Sequence, residues 1–564
     1  MTKAPNIGII ITMIDANAKP TKIIRVTNKK NGVTYLYEDQ AFWNSEKKRG
    51  EHKRKCIGRL GPDGNEIYND FYLARKEAAK AENPLVSKTT LMGQNLILDK
   101  VVKDVGIQPV LKEAFGADDA DAILQLARYS VCEGKALSRA EDWLNDRGFN
   151  GNALCSQRIS ELLASLSDDR RNTFFKLWIS KQAKKKALLF DITSISSYGK
   201  NNTYVERGYN RDHENLRQIN LGLLSAHSSN VPLWYSELPG SMSDSLVLDH
   251  VLRSLEKLDV KDINLVGDRG FYSEANLRNI ADKGQKFTIP VPSSLKWQKE
   301  LIDKVRPSIR RPANIIRNPE DDKSYIYGVT DYKTESYGRT WRHVYFDPVR
   351  KEQDIASLML KLRKCEEELA GGDAFEKHRN LYDTYFTVKE TPKRGRKVSL
   401  NEEAVNAYID GYSGFWIILT NAQKDASKAL GHYNRRCDIE FHFDDMKNLL
   451  DCNRLNVHTE KTMKGRLFVN FITLILLNDL RGKVSAIKPR DRKYWDFKDM
   501  LNKVSTYSRI HFTGTYKDLW TVPNKAQRLI FSLLKIEYHW KGNTVNLEKP
   551  IEPEDNGEQE DEEP

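Results

Sequence analysis

The sequence predicts an α/β protein built on a mixed β-sheet, with a basic β-hairpin region and a helical region before the sheet and an inserted domain within it. Two apolar runs, at residues 187–194 and 263–267, have the pattern of buried strands, and one aspartate lies in the first run and one directly after the second. Apolar spacing at residues 245–258 and 274–282 predicts helices between and after these strands. At 564 residues the chain is long enough for several domains.

The N-terminal region, residues 1–85, is predicted to be a small basic sheet. Short strands are expected at residues 22–26, 34–37 and 53–57, and the Asn-Gly pair between the first two favours a hairpin. Lysine and arginine are concentrated around the third strand. Such a sheet is either a DNA-binding β-module or a hairpin whose charge simply keeps it in solution.

Residues 90–186 are predicted to form a helical DNA-binding region. Apolar residues share one helix face at residues 96–105 and again at 123–126. Residues 156–163 begin with a serine cap and continue with helical apolar spacing, a pattern that fits a helix entering a major groove. A helix packed in its own core gives the same pattern, so both interpretations stay open.

The central sheet is predicted in two parts, residues 187–292 and 412–485, with an inserted domain at residues 293–411. The first part has the element order β-β-β-α-β-α-β, which resembles the first half of a ribonuclease-H-like core. The strands expected after the first aspartate strand are at residues 218–226, 232–237, 287–291 and 415–420. The insertion is expected to hold strands at 325–329 and 341–346, a helix at 354–369 and a basic loop at 392–397.

The charge of the chain points to a polyanionic partner. The net charge is +12 and the pI is about 9.1. A C-terminal region at residues 486–548 is followed by an acidic tail at 549–564, whose last 14 residues hold eight acids and no base. The tail is expected to be disordered and solvating, with shielding of a basic surface as the alternative.

The cysteines and apolar segments exclude several classes. The six cysteines form no CxxC pair, which argues against a zinc ribbon and against a disulfide framework. The longest apolar stretch, residues 467–477, is interrupted by Asn470 and is too short to span a bilayer. No signal peptide is recognisable, so a soluble, intracellular protein is expected, with no membrane partner.

The segment at residues 432–450 carries the most informative pattern. Tyr433, Arg436, Glu440 and Lys447 stand at intervals of three, four and seven residues. On a continuous α-helix at roughly 100° per residue these four side chains fall within an arc of about 60°. One carboxylate, two cations and a phenol on one face could hold a metal ion beside a phosphate. A solvated, charged helix face is the simpler explanation of the same spacing.

Two aspartates upstream favour the metal interpretation. Asp191 and Asp268 lie at or near the ends of the two apolar strands, and ligands bind at the carboxyl ends of strands in open α/β sheets. Taken singly, each is a plausible cap or turn residue. Carboxylates brought together repel one another, and divalent cations remove that cost while forming a site for attack at phosphorus.

The Asp, Asp and Glu with the Tyr-x2-Arg-x3-Glu-x6-Lys spacing resemble the DDE transposases of bacterial insertion sequences, specifically the insertion-sequence-four superfamily with its Y-R-E-K signature. Two further motifs resemble the same family. They are Glu206-Arg-Gly-Tyr-Asn-Arg-Asp-His213 with Arg217-Gln218, and Pro232-Leu233 with Glu237, Pro239-Gly240 and Asp244. The resemblance covers about residues 187–480.

The resemblance implies a cut-and-paste DNA transposase that cleaves at the ends of an insertion sequence and transfers the strand into target DNA. Asp191, Asp268 and Glu440 would be catalytic and would hold two Mg²⁺ or Mn²⁺ ions. Tyr433, Arg436 and Lys447 would bind phosphates. The expected partners are double-stranded DNA, as terminal inverted repeats and target, and a second copy in a homodimer on paired ends, in the bacterial cytoplasm and on the nucleoid.

Other positions leave alternatives open. Asp444 lies at about the same helical angle as Glu440, roughly 6 Å along the axis, and the signature spacing alone selects Glu440. Arg394 and Arg396 either enter a minor groove or belong to a solvated linker. Trp297 either stacks on an unpaired base, as a tryptophan does in related insertions, or anchors the inserted domain.

Two other functions compete with transposition. A non-catalytic, domesticated DNA-binding protein would keep the end-binding surface, although all three acids are present here. A structure-specific nuclease of the same fold would cut DNA without joining it.

Overall fold

The computed structural model describes most of the chain. The described residues are 22–44, 47–73, 76, 86–149, 151–182, 187–199, 202–212, 214–242, 244–261, 263–318, 321–391, 395–457, 459–487, 496–513, 516–540 and 543–545. They divide into two compact units, Met1–Thr89 with Ile510–Leu519, and Thr90–Arg509 with Trp520–Pro564.

The smaller unit contains a four-stranded antiparallel sheet. Its strands, in sheet order, are β1 (Lys22–Thr27), β2 (Thr34–Asn44), β3 (Arg49–Leu60) and β4 (Glu66–Tyr68). Gly32, at φ 69°, donates its N–H to the carbonyl of Asn28 and closes the predicted turn. The predicted strands are therefore present, and two of them are longer than the apolar pattern indicated.

The first part of the larger unit is helical, as the sequence predicts for residues 90–186. Its helices are α1 (Gly93–Val105), α2 (Ile107–Phe115), α3 (Ala117–Glu133), α4 (Ala140–Asp146), α5 (Ser156–Ser165) and α6 (Asp168–Gln182). The serine cap predicted for α5 is not formed, because Cys155 occupies the cap position and makes no side-chain capping bond.

These helices share their core with a long helix from the other end of the unit, α15 (Glu460–Ala486). The ring of Phe468 lies 5.0 Å from that of Phe115 and 5.2 Å from that of Phe174. Gly465 faces the end of α5 so closely that a Cβ there would lie 2.1 Å from the carbonyl oxygen of Leu163. The apolar face of α5 is therefore buried against α15.

Nine strands of the described chain form the central mixed sheet. In chain order they are β6 (Ala187–Ser196), β7 (Gln218–Ala226), β8 (Pro232–Pro239), β9 (Asn264–Val266), β10 (Lys286–Pro290), β11 (Ile315–Asn318), β12 (Asp321–Glu335), β13 (Gly338–Phe346) and β16 (Phe415–Thr420). Their order across the sheet is β11-β12-β13-β16-β10-β9-β6-β7-β8. The pairs β6–β9 and β9–β10 are parallel and the others are antiparallel. The predicted α/β class with a mixed sheet is confirmed.

The region predicted as an insertion contributes to two places. Strands β11, β12 and β13 extend the central sheet, and the helix Lys296–Ile309 packs in the main core. The rest surrounds a separate small core and comprises α10 (Pro348–Gly371), α11 (Arg379–Tyr385), β14 (Phe386–Thr391), β15 (Gly395–Leu400) and α12 (Glu402–Gly411). The predicted loop at residues 392–397 is wrong from Gly395 onward, because that part pairs with β14 as a strand.

The predicted helix at residues 432–450 is not continuous. Helix α13 (Ala426–Asn434) ends before two arginines, α14 (Cys437–Asp444) follows, and residues Asp445–Leu449 form a π-helical segment. Around the arginines the backbone bonds span three residues, as from Arg436 N–H to the Tyr433 carbonyl. The tightened turn and the wider π segment change the angular positions that a regular α-helix would give.

The remaining elements are helices of the larger unit and several short strands. The helices are α7 (Asp244–Lys257), α8 (Glu274–Asp282), α9 (Lys296–Ile309), α16 (Phe497–Val504) and α17 (Lys525–Leu533). The short strands are β5 (Val86–Leu91), β17 (Ser508–Phe512), β18 (Leu519–Trp520), β19 (Tyr538–Trp540) and β20 (Asn543–Val545). Among the described helices none combines the length and the apolar character needed to cross a membrane.

Candidate active site

Two parallel strands place the first two carboxylates. β6 and β9 pair in a register that ends with Leu189 opposite Val266. Asp191 and Asp268 each come two residues after that pair. They therefore occupy corresponding positions along two neighbouring stretches of backbone, which lie about 4.8 Å apart. The two side chains therefore meet at the carboxyl end of β9.

Packing beneath the strands fixes both aspartates. Gly267 has no side chain and leaves room for the ring of Phe271, which a Cβ at Gly267 would approach to 3.2 Å. That ring lies 5.2 Å from the ring of Phe190, the residue before Asp191. The turn that follows Asp268 is thus packed on the strand that carries Asp191.

The two aspartates differ in exposure. The Asp191 side chain is 16% exposed and that of Asp268 is 47% exposed. Burial raises the pKa of Asp191 to about 6, although the guanidinium of Arg436 and the N–H of Ile192 oppose that shift. Asp191 is therefore the carboxylate that most needs a nearby cation.

Helix α14 supplies the third carboxylate. Its buried face carries Ile439 and Phe443, while Glu440 points outward with 54% of its side chain exposed. The helix is held to the β7–β8 turn by two hydrogen bonds. Nε2 of His442 donates to the Asn230 carbonyl at 2.7 Å, and the Asn230 side chain donates to the carbonyl of Asp438 at 2.7 Å.

All three carboxylates converge on Arg436. Its Nη1 lies 3.4 Å from Asp191 Oδ2 and 3.8 Å from Asp268 Oδ1, and its Nη2 lies 3.2 Å from Glu440 Oε1. The guanidinium is 16% exposed and lies 5.8 Å from the ring centre of Tyr433, which is half-buried. Three acids that are distant in sequence thus form one acidic site around a single cation.

Lys447 lies on the π-helical segment and has a partner that the sequence analysis did not assign. Its Nζ is 2.7 and 2.6 Å from the two carboxylate oxygens of Asp212. Two residues further on, Glu214 binds Arg454 at 2.6 Å and accepts a hydrogen bond from Ser196. Asp212 belongs to the motif at residues 206–213, and that motif could have indicated a functional role for Asp212.

The alternative third acid is placed differently. Asp444 is exposed and accepts a hydrogen bond from Nδ2 of Asn448 at 2.6 Å. Among the described ion pairs, those of Arg436 reach Asp191, Asp268 and Glu440.

A comparison with protein families identifies the family of the chain. Residues 182–476, more than half of the chain, match the family model of the transposase DDE domain. The chain belongs to the DDE transposase family. The resemblance to DDE transposases inferred from the sequence is confirmed, and the chain is a DNA transposase. The alternatives of a domesticated binding protein or a simple nuclease are not favoured.

A solved structure is also similar to this chain. It is the cryo-EM structure of the piggyBac transposase synaptic complex with hairpin DNA, at a TM-score of 0.33 and 10% sequence identity. The alignment covers 78% of the transposase described here and 77% of that chain. No curated protein gives a significant match.

The donor set of the acidic site in the transposase fits hard divalent cations. Its three carboxylates offer oxygen donors only, which Mg²⁺ and Mn²⁺ prefer. The side chains of Asp268 and Glu440 are about half exposed and can be reached from solvent. Arg436 supplies in the structure the positive charge that these carboxylates require.

The sequence analysis predicted three further DNA-binding candidates in the inserted region. Trp297 on α9 is half-buried against the main core, and the guanidinium of Arg342 lies 5.6 Å from its ring. Arg396 is exposed on β15. Arg394 lies outside the described residues.

Proposed function

We propose that this transposase cleaves and joins DNA by two-metal phosphoryl transfer, with Asp191, Asp268 and Glu440 as the catalytic metal ligands. The observation that carries the proposal is the convergence of these three carboxylates on Arg436. Two divalent ions bound there supply activation of an attacking oxygen and neutralisation of the leaving oxygen. The three side chains would hold the ions, and Asp191, the most buried of them, would bind at the innermost part of the site.

We propose further that the central sheet is a ribonuclease-H-like core. Strands β8, β7 and β6 form an antiparallel meander, and β9 and β10 follow β6 in parallel. That order supports the core that the sequence pattern predicted. Asp191 then lies on the first strand, Asp268 follows the fourth, and Glu440 comes from a helix after the insertion.

Arg436 and Lys447 are the proposed phosphate ligands. Each is now bound by carboxylates, so DNA binding exchanges these carboxylates for phosphate oxygens. Arg436 can bind two oxygens at once with its fork geometry, whereas Lys447 acts as a point charge. Tyr433 packs beneath the Arg436 guanidinium and positions it.

The proposed partners are terminal inverted repeats, target DNA and a second copy of the chain on paired ends, in the bacterial cytoplasm. For end recognition we propose residues 1–186, where the basic sheet and the outer face of α5 are exposed. Because α5 shares its core with α15, recognition has to be tested in the full-length protein.

The experiment that tests the catalytic proposal uses full-length protein and a plasmid that carries the inverted repeats flanking its gene. Asp191→Asn, Asp268→Asn and Glu440→Gln should each reduce Mg²⁺-dependent cleavage below about a hundredth of wild type, while DNA binding persists. Titration calorimetry with Mn²⁺ should show weaker binding in the same variants. Asp438→Asn is the matched control, since Asp438 lies on α14 but pairs with Arg435. Substantial cleavage in any of the three variants would remove that residue from the site.

A further inference from the structure

A second cluster of potential metal ligands lies in the small core around α10, α11 and α12. The Sγ of Cys365, a carboxylate oxygen of Glu368 and a ring nitrogen of His378 all lie within 4.8 Å of one another. Cys365 is 1% exposed. Neither the acidic site nor the family match assigns a role to this cluster.

The chain brings the three side chains together by local folding. Cys365 and Glu368 are one helical turn apart on α10 and share a face. The helix ends at a left-handed Gly372 with φ 84°, after which the N–H of Asp373 returns to the carbonyl of Glu368 at 3.0 Å. A short 3₁₀ turn then places Nδ1 of His378 2.7 Å from Glu368 Oε2.

The donor atoms select the metal. A thiolate, an imidazole and a carboxylate are a mixed sulfur, nitrogen and oxygen set, which suits Zn²⁺ and is unlike the all-oxygen sets of Mg²⁺ and Ca²⁺. The charges also balance, because a thiolate and a carboxylate with a neutral imidazole offset two positive charges. Such balance matters in a site where Cys365 is fully buried.

The surroundings give the site a structural purpose. The buried apolar members of this core in the described chain are Leu358, Leu362, Cys365, Leu369, Tyr382, Phe386 and Val405. A core of this size contributes little stability by itself, and small cores are often reinforced by a metal. A metal at this position would join the end of α10 to the 3₁₀ turn that precedes α11.

We propose that Cys365, Glu368 and His378 bind one Zn²⁺ ion that reinforces this small core, with water in the fourth position. The ion replaces the hydrogen bond between His378 and Glu368. The Tyr382 hydroxyl, which lies 2.5 Å from Glu368 Oε2, keeps its hydrogen bond and orients the carboxylate.

The test measures metal content and does not involve DNA, so its outcome is independent of the catalytic proposal. Full-length protein dialysed against zinc-free buffer should retain about one zinc per chain. Replacement of zinc by Co²⁺ should produce a thiolate-to-cobalt charge-transfer absorption in the near ultraviolet. Cys365→Ser should lose both signals.

Two matched controls locate the signal. Cys132→Ser changes a partly buried cysteine in the helical region, and Cys437→Ser changes the cysteine beside the acidic site. Both variants should keep the zinc and the cobalt absorption.

Two results would overturn the proposal. Absence of zinc and of the cobalt absorption in wild-type protein would leave His378, Glu368 and Tyr382 as a hydrogen-bonded group only. Persistence of the absorption in Cys365→Ser would assign it to another thiol. If Cys365→Ser does not fold, Glu368→Gln replaces it. Its zinc affinity should fall by more than about tenfold, because even the loss of a residue that only orients a metal ligand costs about that much. Unchanged affinity in Glu368→Gln would also refute the site.

Discussion

The sheet side and the helix side of the acidic site are built in different ways. On the sheet side, the parallel register of β6 and β9 places Asp191 and Asp268 at corresponding positions. On the helix side, Arg436, Glu440 and Lys447 lie on a tightened turn, a short α-helix and a π-helical segment in succession. The position of each aspartate therefore follows from the regular register of a strand pair. The positions of Arg436, Glu440 and Lys447 depend instead on a tightened turn and a π-helical segment, which tertiary contacts stabilise.

The largest expected effect concerns Arg436, where the two sides meet. Arg436→Ala removes the cation that contacts all three carboxylates and, by our proposal, a phosphate ligand. Arg436→Lys should not restore function, because an ammonium lacks the fork that reaches several oxygens at once. We expect single-turnover cleavage to fall by about 100-fold or more in both variants. Near-normal cleavage in Arg436→Lys would show that charge alone suffices and that the fork geometry is unimportant.

The sequence predicted the sheet side well for a physical reason. A buried strand leaves a run of apolar residues in the sequence, so the strands that precede the aspartates can be recognised locally. The strands at residues 218–226 and 415–420 likewise have the predicted bounds. The contact of Lys447 with Asp212 joins residues 235 positions apart, and no local pattern encodes it. The Cys365 cluster was missed because its third member depends on the turn at Gly372 and its cysteine belongs to no CxxC pair.

A second test measures how protein stability depends on pH at a histidine pair between the sheet and α13. The ring of His227, at the end of β7, lies 4.6 Å from the ring of His432 on α13. Burial, with smaller contributions from His432 and Arg435, lowers the pKa of His227 from 6.5 to about 4. The unfolded chain binds this proton as pH falls below 6.5, whereas the folded chain binds it only near pH 4. The contribution to stability is therefore complete above pH 6.5 and is lost between pH 6.5 and 4.

The expected loss over that range is up to about 3 kcal/mol, at roughly 1.4 kcal/mol per pKa unit. Denaturant unfolding of wild-type protein and of His227→Gln at several pH values measures it. The variant should lose less stability than wild type between pH 6.5 and 4. Parallel pH profiles for the two proteins would show that burial does not lower the pKa of His227 in the folded protein.

A smaller effect is expected at Lys447. Lys447→Ala should weaken DNA binding and make the log-log salt slope shallower by about one unit, as for one lost phosphate contact. Asp212→Asn should strengthen binding several-fold, roughly twofold to fivefold, because the competing carboxylate is lost. Lys261→Ala is a control, since that exposed lysine pairs with Asp259. An unchanged salt slope in Lys447→Ala would indicate a structural role in place of a phosphate contact.

The smallest expected effect decides the register of the helix side. A regular α-helix would allow Asp444 to replace Glu440, one turn further along. In the structure Glu440 contacts Arg436, while Asp444 is exposed and binds Asn448. Asp444→Ala should therefore change cleavage by less than about twofold, within the usual range for surface substitutions, which shift stability by about 0.5 kcal/mol. Cleavage rates for Asp444→Ala and Glu440→Ala measured side by side check this expectation. If Asp444→Ala lost cleavage while Glu440→Ala kept it, the third metal ligand would lie one turn further along, and the contact between Glu440 and Arg436 would be only an ordinary ion pair on a helix surface.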